Sequence, residues 1–133
     1  MTLESMYDFA ERQGYEVDHR MMVSARSISV QFPDGSCGIC MDPTQFEFPW
    51  DELEQLAHEI GHCELLAFYT QYTPYETVGR IEHKAWKWAI KKLVPEDELK
   101  ELIRQKRTPY EIAEHFHISS LFLQKAFDFY KKQ

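Results

Sequence analysis

Residues 49–65 read PWDELEQLAHEIGHCEL, and their apolar side chains recur at the spacing of an α-helix. Pro49 suits the first helical position, and Asp51 and Glu52 follow at the positive end of the helix dipole. Apart from Glu59, the residues around the two histidines are uncharged, which predicts that this part of the helix is buried: Leu56, Ala57, Ile60, Gly61 and Cys63. Because buried polar side chains without partners are costly, the two histidines and the glutamate between them need a bound partner.

His58 and His62 are four residues apart, which places them about 40° apart around a helix and one turn along it. Both imidazoles therefore reach a single Zn²⁺ at about 2.0–2.1 Å. Glu59 lies about 100° round the helix from His58, so it reaches a water on the metal rather than the metal itself. Zn²⁺ lowers the pKa of such a water to about 7. The H-E-x-x-H sequence thus predicts a zinc site in which Glu59 takes the water's proton and hands it to the leaving amine.

A catalytic zinc needs a third protein ligand and an open fourth position. The candidates downstream are Glu64, Glu76, Glu82 and His83. Glu64 follows His62 by two residues on the same helix and so points elsewhere. Glu82 lies in the middle of the next predicted helix, on an apolar face, and its basic neighbours two residues away do not face it. Glu82 is therefore the predicted ligand, with His83 and Glu76 as alternatives.

The N-terminal part of the chain predicts a helix followed by a β-hairpin. Apolar residues near the N-terminus recur at helical spacing, and Gly14 is a natural stop. Ile28, Val30 and Phe32 alternate with polar residues, as in a strand with one buried face. A Pro-Asp-Gly turn follows and the alternation resumes, so residues 26–41 predict a hairpin.

The remainder of the chain predicts helices. Two Thr-Pro-Tyr-Glu sequences, at 73–76 and 108–111, have the pattern of capping boxes that open helices. The order of helix, hairpin and helices predicts an α+β fold, with a small antiparallel sheet packed on a mainly helical domain. The 133 residues are the size of one domain, in which residues 1–95 form the core and residues 96–133 a C-terminal helical subdomain.

Three short sequences carry a family resemblance: His58-Glu-Ile-Gly-His62, Glu82-x-x-Ala85-x-x-Trp88-Ala89 and Leu93-Val-Pro95. Together they resemble the ImmA/IrrE family of metallo-endopeptidases, and the likeness spans roughly residues 3–95. The family pattern is H-E-x-G-H, then E-x-x-A-x-x-F-A, then a leucine-rich stretch ending in proline. Trp86 and Trp88 replace the family's usual Asn and Phe, which affects packing around Glu82 and leaves substrate choice open.

The resemblance implies a zincin-like fold and a Zn²⁺ ion held by His58, His62 and Glu82, with Glu59 as general base. It also implies a protein substrate, because characterised members act on helix-turn-helix transcription repressors in phage and mobile-element immunity or in damage responses.

Two further parts of a peptidase site have candidates in the sequence. A substrate peptide can add as a strand to an exposed sheet edge, and residues 36–41 are the candidate edge. The alternative is that this strand only covers the core. The reaction also needs a group that stabilises the oxyanion, for which the candidates are Tyr69, Tyr72, Tyr75 and His83.

The three cysteines are an odd number, and the N-terminus lacks the basic and apolar segments of a signal peptide. We therefore expect a cytoplasmic protein without a disulfide framework. Cys37 and Cys40 form a Cys-x-x-Cys sequence, but on a strand they would face opposite sides and neither chelate one ion nor pair. Cys63, next to His62, is interpreted as a small buried filler.

Charge is distributed unevenly: residues 1–83 carry a net charge of −11 and residues 84–133 one of +4. The acidic part argues against nucleic acid as a partner of the whole chain. Residues 112–119 resemble the core of a helix-turn-helix, but the charges from residue 108 onward sum to zero, so we expect a structural or partner-docking role for them. No apolar run approaches the roughly 18 residues of a membrane span, so no membrane partner is expected.

These observations leave three hypotheses. The first is a zinc endopeptidase that cleaves a repressor of a phage or mobile element, whose basic part the acidic region would attract. The second is a non-catalytic, zinc-stabilised anti-repressor that sequesters the repressor without cutting it. The third is a DNA-binding regulator that acts through the C-terminal helices. Replacing Glu59 separates the first two, because only cleavage needs a general base.

Overall fold

Helices make up most of the computed structural model, which describes residues 1–132. The helices are α1 (Leu3–Arg12), α2 (Pro49–Leu65), α3 (Tyr75–Leu93), α4 (Glu96–Arg104), α5 (Pro109–Phe116) and α6 (Ser120–Lys131). The strands are β1 (Glu16–His19), β2 (Ser27–Gln31) and β3 (Cys37–Met41), and a 3-10 turn (Pro43–Gln45) precedes α2. The predicted α+β fold is confirmed. Among residues 1–132, no helix combines the length and apolar character needed to cross a membrane.

The sheet has the strand order β1-β3-β2. β2 and β3 form the predicted antiparallel hairpin, whose turn contains Gly35 at a φ of +90°. β1 adds parallel to β3 along its other side, so the sheet is mixed rather than purely antiparallel. β3 is therefore the central strand. The prediction that residues 36–41 form a free edge is wrong, because β1 and β2 occupy both sides of that strand, and β1 and β2 are the edge strands instead.

The two faces of β2 are the reverse of what its alternation suggests. Ser27 is buried and Ser29 half-buried on the face that packs against α2. Ile28, Val30 and Phe32 lie on the other face and are 40–44% exposed. The strand is confirmed, but its inward side chains are polar because they meet a buried carboxylate of α2, described below.

The His-Glu-Ile-Gly-His sequence lies in α2, between the sheet and α3. The core around it comprises Met6 of α1, Ile39 and Met41 of β3, Leu53, Leu56 and Ile60 of α2, and Ala89 and Leu93 of α3. Gly61 lets α2 and α3 approach closely, since a Cβ at this position would lie 2.7 Å from the backbone oxygen of Ala85. The glycine of the His-Glu-Ile-Gly-His sequence is thus required by the packing of α2 on α3. This close approach brings side chains of α3 within reach of the two histidines.

We expect Gly61→Ala to lower the free energy of unfolding by about 1–3 kcal/mol, because the added methyl group overpacks the contact between α2 and α3. Gly79→Ala is the matched control: it lies in α3 and its added Cβ would meet nothing within 4 Å. This control should be neutral or stabilising by up to about 1 kcal/mol. Urea denaturation of both variants measures the difference, and equal stabilities would contradict the packing role.

The C-terminal helices pack against the rest of the chain. The capping box predicted at Thr108 is confirmed, with reciprocal bonds between Thr108 and Glu111. Ser119, at the start of α6, donates its backbone N–H and its hydroxyl to the Glu54 carboxylate of α2 at 2.8 and 3.2 Å. The Tyr130 hydroxyl donates to the Val94 carbonyl at 2.7 Å. Hydrophobic side chains of α5 and α6 consequently belong to the same core as those of α1 and α2.

The other predicted capping box, at Thr73, does not form. α3 begins at Tyr75 and its N-cap is Pro74, which has no side-chain group to offer. The Thr73 hydroxyl instead accepts a hydrogen bond from the backbone N–H of Thr70 at 3.0 Å. The prediction is wrong because the Thr73 hydroxyl bonds within the loop that precedes α3 and not to the first turn of the helix.

A disulfide joins Cys37 of β3 to Cys63 of α2, with Cα atoms 5.9 Å apart. The expectation of no disulfide, and of Cys63 as a mere filler, is wrong for this pair. Both cysteines lie where the central strand packs on α2, a contact that the sequence spacing of 26 residues does not reveal. Cys40 is free and lies on the opposite face of the strand, as expected of the Cys-x-x-Cys sequence.

Candidate metal centre

Two histidines from α2 and one glutamate from α3 converge at one point. His58, His62 and Glu82 each offer a ligand atom, and these atoms lie within 4.8 Å of one another. The Glu82 carboxylate approaches Nε2 of His58 at 2.7 Å and Nε2 of His62 at 3.1 Å. Ligands at about 2.0–2.1 Å from a tetrahedral ion are about 3.3 Å apart, so this donor set fits a single divalent cation. In the part of the chain that the structure describes, no other such trio occurs.

Because the two histidines are four residues apart on α2, their side chains project from the same face of the helix. Their ring centroids are 4.7 Å apart, and both present Nε2 to Glu82. Nδ1 of His62 lies 2.6 Å from the backbone oxygen of Ala67, so it carries the proton and leaves Nε2 free to bind. Nδ1 of His58 faces the Gln55 side-chain amide at 3.4 Å, which is a longer and weaker contact. Outer contacts of this kind orient metal-binding imidazoles.

The other candidate third ligands lie elsewhere. Glu64 accepts a hydrogen bond from the Gln13 side chain at 2.5 Å. Glu76 and His83 are exposed on α3 and do not line the cleft beside the histidines. Only Glu82, of the four candidates, is brought to the two imidazoles.

Glu59 is buried beside the trio without belonging to it. Its carboxylate accepts a hydrogen bond from the Ser27 hydroxyl at 2.5 Å and lies 3.7 Å from Nδ1 of His58. Burial acts to raise the pKa of Glu59, but His58 and the hydroxyls of Ser27 and Ser29 outweigh it, so the pKa lies below its ordinary value. Glu59 is therefore an ionised carboxylate at neutral pH, the form in which a carboxylate accepts a proton.

The pKa of His58 is raised. Burial acts to lower it, and the Glu59 and Glu82 carboxylates together outweigh that effect. A raised pKa favours the protonated imidazole. A metal ion can bind Nε2 only after that nitrogen loses its proton, so metal binding and protonation of His58 compete.

A cleft of about 340 Å³ opens beside these side chains. Its walls are β2, the α2–α3 connection and the trio of His58, His62 and Glu82, and Tyr69 lines it. The Tyr69 hydroxyl donates to the Glu82 carboxylate at 2.9 Å. Of the other oxyanion candidates, Tyr72 and Tyr75 are 85% and 91% exposed, and His83 lies outside the cleft. Tyr69 is thus the candidate that the fold places at the site.

A larger, apolar cleft of about 680 Å³ lies at the start of α2 and the α5–α6 turn, around Trp50 and Tyr110. His58, His62 and Glu82 do not line it. The smaller cleft is therefore the candidate active-site cleft.

The free edge of β2 borders the same cleft. The Phe32 N–H donates to the Ser36 carbonyl and the Asp42 N–H donates to the Arg26 carbonyl, both across the hairpin. Backbone groups of alternate residues therefore point toward β3, and those of Ser27, Ser29 and Gln31 point the other way. The cleft thus has an unpaired strand along one wall.

Several residues of the site carry no obvious signal in the sequence: Ser27, Ser29, Gln55, Phe68 and Trp86. Gln55 precedes His58 by one helical turn, and Trp86 follows Glu82 by one turn, so helical spacing alone places both near the trio. The serines come from a different element. Only the packing of β2 on α2 brings them to Glu59.

When the sequence is compared with models of known protein families, one family matches. The model of Peptidase_M78, described as the IrrE N-terminal-like domain, matches residues 49–128, which is more than half of the chain. The match contains α2 and α3 with His58, Glu59, His62 and Glu82, and continues into α6, whereas Ser27 and Ser29 of β2 precede it. No curated protein matches the sequence.

Proposed function

Because the chain belongs to the Peptidase_M78 family of IrrE N-terminal-like domains, we propose that it is a zinc-dependent endopeptidase that cleaves a protein substrate. The observation that carries the proposal is the convergence of His58, His62 and Glu82 beside a separate, buried and ionised Glu59. Two imidazoles and one carboxylate with a side open to a cleft are the ligand set of a catalytic rather than a structural zinc.

In the proposed mechanism His58, His62 and Glu82 hold the ion. Zinc in such a site supplies a water of pKa near 7 and polarises the scissile carbonyl. The Glu59 carboxylate takes a proton from the attacking water, whose oxygen bonds to the carbonyl carbon, and transfers it to the nitrogen as the C–N bond breaks. The Ser27 hydroxyl keeps that carboxylate turned toward the cleft. The Tyr69 hydroxyl, which donates to Glu82 in the structure, lines the cleft, and we propose that it donates instead to the negative charge that develops on the carbonyl oxygen.

The substrate is proposed to bind as an extended strand along β2. The unpaired backbone groups of Ser27, Ser29 and Gln31 supply the hydrogen bonds, as in other strand additions. Side chains of an added strand alternate between the cleft side and the outer face, where Ile28 and Val30 are exposed. The substrate therefore presents apolar residues at alternate positions to that face.

This arrangement predicts a sequence preference at the cleavage site. A cross-strand pair contributes about 0.2–1 kcal/mol, so Ile28→Ser should reduce the preference for an apolar residue opposite it by up to about fivefold. Ile103→Ser is a matched control, since both isoleucines are 44% exposed and Ile103 lies on α4. Sequencing of cleavage products from a peptide library made from a bacterial proteome measures the preference. An unchanged pattern in Ile28→Ser would contradict binding along β2.

The substrate class is proposed to be a helix-turn-helix repressor of a phage or mobile element, on the basis of the family resemblance. The charge of −11 on residues 1–83 favours attraction of the basic, DNA-contacting part of such a protein. A repressor acts in the cytoplasm, so we propose the same compartment for this chain. Cytoplasmic cysteines are usually reduced, so the proposal implies that Cys37 and Cys63 are two thiols in the cell rather than joined as in the structure.

The experiment that tests the proposed function compares three preparations on the same peptide library: zinc-loaded protein, protein stripped by a chelator, and stripped protein to which zinc is returned. The proposal requires cleavage by the first and third and none by the second. Absence of cleavage in all three would contradict peptidase activity, and equal cleavage in all three would show that the metal has no part in it.

A further inference from the structure

We propose that Trp86 is a positioning residue for His58, through which the C-terminal helix α6 contributes to metal binding; this inference rests on the proposed metal site. The indole of Trp86 stacks on the imidazole of His58, with ring centroids 4.1 Å apart and planes inclined by 16°. This is the closest ring contact of either metal-binding histidine, and it covers a face of the imidazole whose edge points to Glu82.

The two histidines are oriented by different means. His62 has a short hydrogen bond, 2.6 Å, from Nδ1 to the Ala67 carbonyl. At Nδ1, His58 has only the contact of 3.4 Å to Gln55, and the Glu59 carboxylate, at 3.7 Å, is beyond hydrogen-bond distance. The ring that Trp86 covers thus lacks a strong hydrogen bond at Nδ1, the nitrogen turned away from the metal position. Stacking on Trp86 takes the place of that hydrogen bond in fixing the plane of the imidazole, because rotation of the His58 ring would push the edge of the imidazole into the indole.

Trp86 is in turn braced by α6. Nζ of Lys125 lies 5.4 Å from the centroid of the indole, within the range of a cation–π contact. The ring of Phe122 packs against the same indole, with centroids 6.4 Å apart. The start of α6 is tied to α2 through the hydrogen bonds from Ser119 to Glu54, one turn before His58. α6 therefore holds the indole from one element while α2 holds the imidazole, and both Phe122 and Lys125 lie within the family match.

The expected effect is on metal affinity. Outer contacts of metal ligands are typically worth about 10–100-fold in affinity. We expect Trp86→Ala to weaken zinc binding about 10-fold or more, and Trp86→Phe, which keeps an aromatic face, to restore most of it. Lys125→Met keeps the aliphatic stem and removes the charge, so it should weaken binding about two- to threefold.

Trp88→Ala is the matched control. Trp88 is also half-buried in α3, but it packs against Phe9 of α1 at 6.0 Å, away from the histidines. Loss of this indole should lower stability as much as loss of Trp86 and leave zinc affinity within about twofold of wild type. Titration of the full chain with Zn²⁺ against a chromophoric chelator measures all of these affinities.

A spectroscopic measurement separates contact from general destabilisation. Co²⁺ quenches nearby indoles, so binding should quench fluorescence in the wild type and in Trp88→Phe, and much less in Trp86→Phe. The proposal is overturned if Trp86→Ala binds zinc as tightly as wild type, or if Trp88→Ala weakens binding as much as Trp86→Ala does. If the wild type itself binds no zinc, the proposed metal site fails as well, and the two failures are thereby distinguishable.

Discussion

Replacement of Glu59 by Gln is expected to reduce peptide cleavage by about 10²–10⁴-fold while zinc remains bound in full. The carboxamide has the shape of the carboxylate and can still accept the Ser27 hydrogen bond, but it cannot take a proton at neutral pH. Because Glu59 lies outside the trio that converges on the metal position, its loss removes chemistry without removing a ligand. Rates on a cleaved library peptide, together with zinc content, measure both halves of this expectation.

Glu64→Gln serves as the control for that variant. Glu64 is on the same helix, but it bonds Gln13 rather than facing the cleft, so cleavage should continue at nearly the wild-type rate. A Glu59→Gln protein with undiminished activity would remove Glu59 from the mechanism. If the wild type cuts nothing, and Glu59→Gln still binds zinc and a repressor as the wild type does, the protein is the non-catalytic anti-repressor of the second hypothesis.

The second large effect is expected from Glu82→Gln. Loss of the carboxylate removes one of the three proposed protein ligands. Removal of a residue that only contacts a ligand typically lowers metal affinity about 10–100-fold, and the loss of zinc affinity in Glu82→Gln should be larger than that. Thermal denaturation with and without zinc gives a second reading. The wild type should be stabilised by zinc, because the ion binds only the folded chain, and the variant should not be.

Two further substitutions on α3 decide between the candidate ligands that the sequence leaves open. Glu76→Gln and His83→Ala change exposed side chains that do not line the cleft, so both variants should bind zinc as tightly as wild type. Loss of zinc from either one, with retention by Glu82→Gln, would contradict the ligand set and require a different arrangement of α3.

The parts of the site that sequence alone predicts are those governed by one helix at a time. The spacing of His58 and His62 follows from helical geometry, and Glu82 is singled out because a carboxylate on an apolar helical face needs a partner. Gly61 shows the limit of such reasoning. The residue is visible in the sequence, but the contact with the Ala85 backbone that requires it depends on how α2 meets α3.

The parts that sequence could not predict depend on contacts between distant elements. The alternation in β2 predicts a strand but not which face is inward, and the apolar face proves to be the exposed one. The alternation predicts a free edge at residues 36–41, but the parallel addition of β1 covers that side of β3 and leaves β1 and β2 as the edge strands. The bond between Cys37 and Cys63 likewise follows from the packing of β3 on α2. In each case the deciding interaction joins elements whose arrangement has no local signature.

The central claim is that His58, His62 and Glu82 together hold one zinc ion, and the metal content of the purified protein tests it most directly. The chain should be produced without an affinity tag that binds metal, dialysed, and measured by elemental mass spectrometry against protein concentration. We expect one zinc per chain, removable by a chelator and recovered to the same ratio when zinc is returned. A protein that carries no metal and takes up none when zinc is offered would contradict the account.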